Sequence, residues 1–159
     1  MTAGPQAYKS KTFATWIAVL AGSLGLHRFY LHGFRDRWGW LFVWPTLVGL
    51  YGVQRMRHLG GDDHLAWLLI PLLGLMVAIG MFSAILYGLT PDERWNTRFN
   101  PTGPQHRMGW ATIIGVVLAL VVGGGVLMAT LAFSAQRYFE YEAEVEAAPA
   151  QTNSARPIQ

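Results

Sequence analysis

Residues 22–42 read GSLGLHRFYLHGFRDRWGWLF. Both ends are apolar, whereas the middle sets His27, Arg28, His32, Arg35, Asp36 and Arg37 among aromatic residues. The stretch joins two apolar runs, Phe13 to Leu26 and Gly39 to Val53. Each falls short of the ~20 residues a helix needs to cross a bilayer. The placement of the polar knot between them therefore decides the fold. Extending the first helix to Leu31 brings it close to that length, with His27 and Arg28 in its last turns. Arg28 can then snorkel to the head groups, while Phe29 and Tyr30 sit in the interfacial aromatic belt. A second helix from Trp38 to about Gln54 makes the knot a tight turn at the water boundary, where Asp36 can pair with Arg28.

The rest of the chain supports a membrane setting. Hydrophobic residues make up 52% of the 159 and charged residues 13%, the latter about half the share usual in a globular domain. Leu65 to Leu89 and Gly109 to Phe133 each run without a single Asp, Glu, Lys, Arg or His. At ~1.5 Å per residue each exceeds the ~30 Å hydrocarbon core. Trp16, Trp38, Trp67 and Trp110 fall near the ends of the four apolar segments, where an indole prefers to lie. The expected fold is all-α: an integral membrane protein with four transmembrane helices arranged as two hairpins.

The expected organisation has a short polar segment over 1–11, a membrane hairpin over 12–57 and a second over 58–133. A polar loop at about 90–108 interrupts the second hairpin, and a polar, disordered tail covers 134–159. An alternative reads Lys9, Lys11 and the short apolar run after them as a signal peptide, which leaves three spans. With four spans, Lys9, Lys11, Arg55, Arg57, Arg137 and Arg156 share one side. Arg28, Arg35, Arg37, Arg94, Arg98 and Arg107 share the other. Equal numbers leave the positive-inside rule nothing to choose by.

Small residues indicate how the helices meet. Ala111, Gly115, Ala119 and Gly123 recur every four residues in the last span, and Gly22 and Gly25 lie on neighbouring stripes of the first. Apolar side chains gain little by leaving lipid for one another, so close backbone approach supplies the contact. Internal packing is the expected use, and homo-oligomer contact the alternative.

The run Lys11 to Arg57 resembles the two-transmembrane-helix ("TM-two") domain family. The resemblance is carried by Gly22 and Gly25, then HRFYL from His27 to Leu31, Gly33, and Gly39. It covers under a third of the chain and implies a membrane hairpin with a short polar turn. Members commonly carry an acid near the end of the second helix, where this chain has Gln54 in LYGVQRM. The family implies no substrate.

Chemistry finds little footing. With no cysteine, disulfides, Cys-ligated zinc, iron–sulfur clusters and thiol catalysis are excluded. The net charge of +3 sits beside apolar spans, so it reflects topology and anionic head groups and not nucleic acid. Of the five histidines, His27, His32 and His106 fall on one side and His58 and His64 on the other. HLGGDDH, residues 58–64, offers imidazole and carboxylate together, yet reads as a turn with Asp capping the next helix. No metal, cofactor or catalytic group is expected. His27, Arg28, Phe29, Tyr30 and Asp36 form the candidate interaction site, for membrane lipid or a protein partner. The expected function is that of a multi-pass, non-enzymatic assembly or interaction component of the cell membrane; the alternative is a small channel or transporter subunit acting as an oligomer.

Overall fold

The computed structural model describes residues 8–154, with side chains to residue 147. Every regular element among them is helical: α1 (Lys11–Ala21), a 3-10 turn (Gly22–Leu24), α2 (Leu26–His32), α3 (Arg37–Leu59), α4 (His64–Leu89), α5 (Asp92–Phe99) and α6 (Trp110–Ser154). In place of the four spans expected, two helices among them, α4 and α6, are long and apolar enough to cross a membrane. Helix α3 is as long as such a span, but Trp38, Trp40, Trp44, Tyr51 and the terminal Gln54 and Arg55 dilute its apolar character.

The first apolar segment is not the continuous helix expected. Ser10 Oγ caps α1 by accepting from Phe13 N at 3.3 Å, and α1 then ends after eleven residues. The chain reverses through the 3-10 turn and Gly25, whose φ of 70° lies in the left-handed region. That conformation costs a side-chain-bearing residue roughly 1–2 kcal/mol. Helix α2 runs back beside α1, and Leu31 joins Ala14 and Trp95 in one buried cluster. The outcome is a short helical hairpin folded back on itself. Its tip lies against the middle of α4, where a Cβ on Gly80 would stand 2.7 Å from the Gly22 carbonyl carbon. Gly80 is nine residues from the end of α4, or about 14 Å at the helical rise. Thr46 Oγ1 of α3 donates to the Ser23 carbonyl at 2.6 Å, satisfying a carbonyl at the tip from the neighbouring helix.

Around this hairpin, α3 and α6 run antiparallel to α4. Gly49 and Gly52 of α3 approach Leu73 and Leu69 so closely that neither site has room for a methyl group. On α6, Gly115 faces Thr15 and Trp16, while Gly123 faces Met81. Ala119 is fully buried with Ala18, Met81 and Ala84. The small-residue face of α6 is thus occupied from within the chain, by α1 and α4. Ala111 is exposed and stands off this face, although its carbonyl accepts from Trp16 Nε1 at 3.1 Å.

Two further expectations are corrected. The 90–108 segment contains α5, whose Trp95 and Asn96 are buried together with Asn100 just past its end. The tail is helical as far as Ser154, as the continuation of α6; residues 155–159 lie outside the described part. Helix-forming Ala and Glu carry it forward, with side-chain pairs Gln136–Glu140 (2.8 Å), Arg137–Glu140 (2.5 Å) and Tyr138–Glu142 (2.9 Å). It also docks on the start of α4. The Arg137 guanidinium lies 5.0 Å from the Trp67 ring, and His64 Nε2 lies 3.4 Å from Glu144.

Candidate functional site

Because the first segment turns back, the residues just before α1 meet the polar knot instead of facing away from it. Lys11 is fully buried; its ammonium donates to Asp92 and, at 3.0 Å, to the Thr90 carbonyl. Lys9 N donates to Asn100 Oδ1 at 2.8 Å, and the Lys9 carbonyl accepts from Trp95 Nε1 at 2.9 Å. Lys9 Nζ reaches the Leu31 carbonyl. Ser10 N donates to the Tyr30 hydroxyl at 3.0 Å. Helix α5 and the loop after it close the arrangement: Asn96 exchanges two hydrogen bonds with the His106 backbone, at 2.7 and 2.9 Å. Tyr8 meets His106 Nδ1 at 2.9 Å.

Burial alone would raise the Asp92 carboxyl, but the Lys11 ammonium and the Met108 amide hold it below its ordinary value. Burial lowers the His106 imidazole, and Lys11 adds to this while Asp92 opposes it. In the 33–36 turn, Arg28 Nε donates to Asp36 Oδ2 at 2.7 Å. Asp36 Oδ1 also accepts from Trp38 N at 3.1 Å, capping α3. The Arg28 hydrogen bond is the main reason the Asp36 carboxyl lies below its usual range, with burial opposing.

The five candidate residues of the knot therefore divide. Arg28 and Asp36 pair with each other. Phe29 is buried over Gly39, stacked on Phe34 with ring centroids 5.6 Å apart. Tyr30 holds the start of α1. His27 is 1% exposed, between Phe42 and Tyr87, and its Nδ1 has no hydrogen-bond partner among the described residues. Gly22 and Gly25 make the hairpin tip. The helix-capping role expected of the HLGGDDH aspartates is corrected: Asp63 holds the N-cap position of α4, but its carboxylate goes to Arg55 Nε at 2.5 Å. Among the described residues no three His, Asp or Glu side chains gather as a metal-ligating group.

Sequence reading missed the cavity beside the knot. Arg28 and His32 of α2 face Arg94 and Arg98 of α5 across a space of about 340 Å³, floored by Tyr87 and Trp95. The only available signal was the spacing of four within each pair; the meeting of the two pairs is a tertiary fact. In a comparison with known proteins, the chain matches no family model, no curated sequence and no solved structure.

Proposed function

We propose that this chain is a non-enzymatic, multi-pass assembly or interaction component of the cell membrane, crossing three times through α3, α4 and α6. The hairpin of α1 and α2 dips to about half the ~30 Å hydrocarbon depth and returns. The observation that carries the membrane setting is burial. In the apolar windows of α4 and α6 only 22% of residues are buried, whereas the apolar core helix of a water-soluble protein is mostly covered. Leu68, Phe82, Leu120, Val121 and Met128 are all more than half exposed. Left in water, a patch of this extent would drive aggregation. Helix α3 joins the spans because it lies along α4 and exposes Trp38, Trp40, Leu41 and Trp44, each at least half. Lipid or a partner's helix covers that aromatic face. Likeness to the two-transmembrane-helix domain enters as part of this proposal, with the first arm turned back instead of crossing.

Charge supports an orientation. Lys9, Lys11, Arg28, Arg35, Arg37, Arg94, Arg98 and Arg107 gather at the hairpin end, against Arg55, Arg57 and Arg137 among the described residues of the other. Asp36, Asp92 and Glu93 lie at the first end, and the six remaining acids at the second. The tie between sides disappears because Lys9 and Lys11 change ends. The positive-inside rule then puts the hairpin end in the cytoplasm. Compartment-specific reporters fused to the two termini test the reading. An N-terminal fusion in the cytoplasm and a C-terminal fusion outside are expected. Both fusions on one side restore the even count of spans and overturn it, as does a chain that stays monodisperse without detergent.

A further inference from the structure

Two helices each present two basic side chains with i, i+4 spacing to the same cavity. From α2 come Arg28 and His32, and from α5 come Arg94 and Arg98. Residues so spaced share one helix face, and on α5 the two guanidiniums repel. The spacing is held open by packing: the His32 and Phe99 rings meet at 6.1 Å, and Trp95, 1% exposed, anchors α5 from beneath. Among the described residues, no acidic one lines the cavity. Asp36 engages Arg28 from the side, but among the described residues neither Arg94 nor Arg98 has a carboxylate within ion-pair distance. Burial, with Arg28 and Arg98 nearby, holds the His32 imidazole below its ordinary value while Asp36 pulls it up. Three guanidiniums thus gather at one cavity, and of the three only Arg28 has a carboxylate beside it among the described residues.

Its position specifies the ligand further. Its lining is of two kinds: the guanidiniums and Thr90 are polar, and Leu86, Tyr87 and Phe99 offer apolar surface. Leu86 is 51% exposed and continues onto the apolar surface of α4. A free phosphate needs only the polar part of this lining, whereas a phospholipid uses both parts. Guanidinium groups match phosphate oxygens through paired N–H donors. We infer that this mouth binds the phosphate of an anionic membrane lipid, with an acyl chain descending past Leu86. The inference rests on the membrane reading above.

The test uses the full chain in nanodiscs of phosphatidylcholine, titrated with phosphatidylglycerol and read by native mass spectrometry, with inorganic phosphate as a separate arm. Arg94→Gln with Arg98→Gln should weaken phosphatidylglycerol retention by about tenfold or more. Arg35→Gln with Arg37→Gln removes the same charge from the same end but off the cavity, and should cost about twofold or less. Both pairs are exposed, and each single variant, at about threefold for Arg94→Gln or Arg98→Gln, keeps the test open should the double fail to accumulate. Equal losses in the two double variants overturn the site in favour of diffuse surface charge. Equal retention of phosphatidylcholine, or inorganic phosphate displacing the lipid at millimolar concentration, overturns the lipid assignment. A chain that never enters the nanodisc refutes the membrane reading instead, so the two failures are distinguishable.

Discussion

Gly80→Ala is the most direct probe of the turned-back hairpin of α1 and α2. A Cβ at position 80 would stand 2.7 Å from the Gly22 carbonyl carbon and 2.9 Å from both Gly22 Cα and Ser23 N. Carbon contacts are optimal at about 3.5–4.0 Å, so three backbone atoms are roughly 1 Å too near. None of them is the end of a side chain that can swing away, and the hairpin tip must shift as a unit. Overpacking of this kind costs about 1–3 kcal/mol. Against it stands the gain of Ala over Gly in a helix, up to about 1 kcal/mol. The net loss is about 1–2 kcal/mol, or a Tm lower by about 2–8 °C for a chain of this size. Gly124→Ala makes the same change in α6, where a Cβ meets nothing within 4 Å, and leaves Tm unchanged or raised. Thermal unfolding of both variants in one mild detergent, followed by circular dichroism, provides the comparison. Equal midpoints for Gly80→Ala and Gly124→Ala would refute the contact and, with it, the turned-back first segment.

Two further outcomes concern the polar end. Asp92→Asn strands the fully buried Lys11 ammonium, at a cost of about 2–3 kcal/mol; this lies below the ~3–5 of a fully enclosed pair because Asp92 is 32% exposed. Lys11→Met removes the buried charge itself and should be the milder variant in chemical denaturation; the reverse order would sink the account of that pair. Burial of His106, against which Tyr8 packs, makes docking of the residues just before α1 depend on pH. Folding lowers the His106 imidazole below its ordinary 6.5, so the unfolded state takes up its proton first. Its contribution is complete above about pH 6.5 and declines as pH falls below it. Proteolysis of the N-terminal segment should accelerate on acidification in the parent chain and much less in His106→Asn; equal acceleration in both would count against this.

Helicity, and the two long apolar helices over Leu65 to Leu89 and Gly109 to Phe133, were legible in the order of the residues alone. Uncharged runs of that length satisfy their backbone hydrogen bonds in only one way where water is absent. Pairing of Arg28 with Asp36 was legible too, since a single short turn separates them. The course of residues 13–31 was not. A short apolar run can continue as a span or fold back, and local propensity does not distinguish the two. Long-range contacts make the choice: Gly22 against Gly80, Ser23 against Thr46, Lys11 against Asp92. Those contacts carry Lys9 and Lys11 to the other end of the bundle, open the arginine-lined mouth between α2 and α5, and unbalance the charge between the two ends. The helical tail is of the same kind. Its polar residues read as disordered alone, but α4 offers His64 and Trp67 as a docking surface, and this packing adds to the Ala and Glu propensity and side-chain pairs that extend the helix.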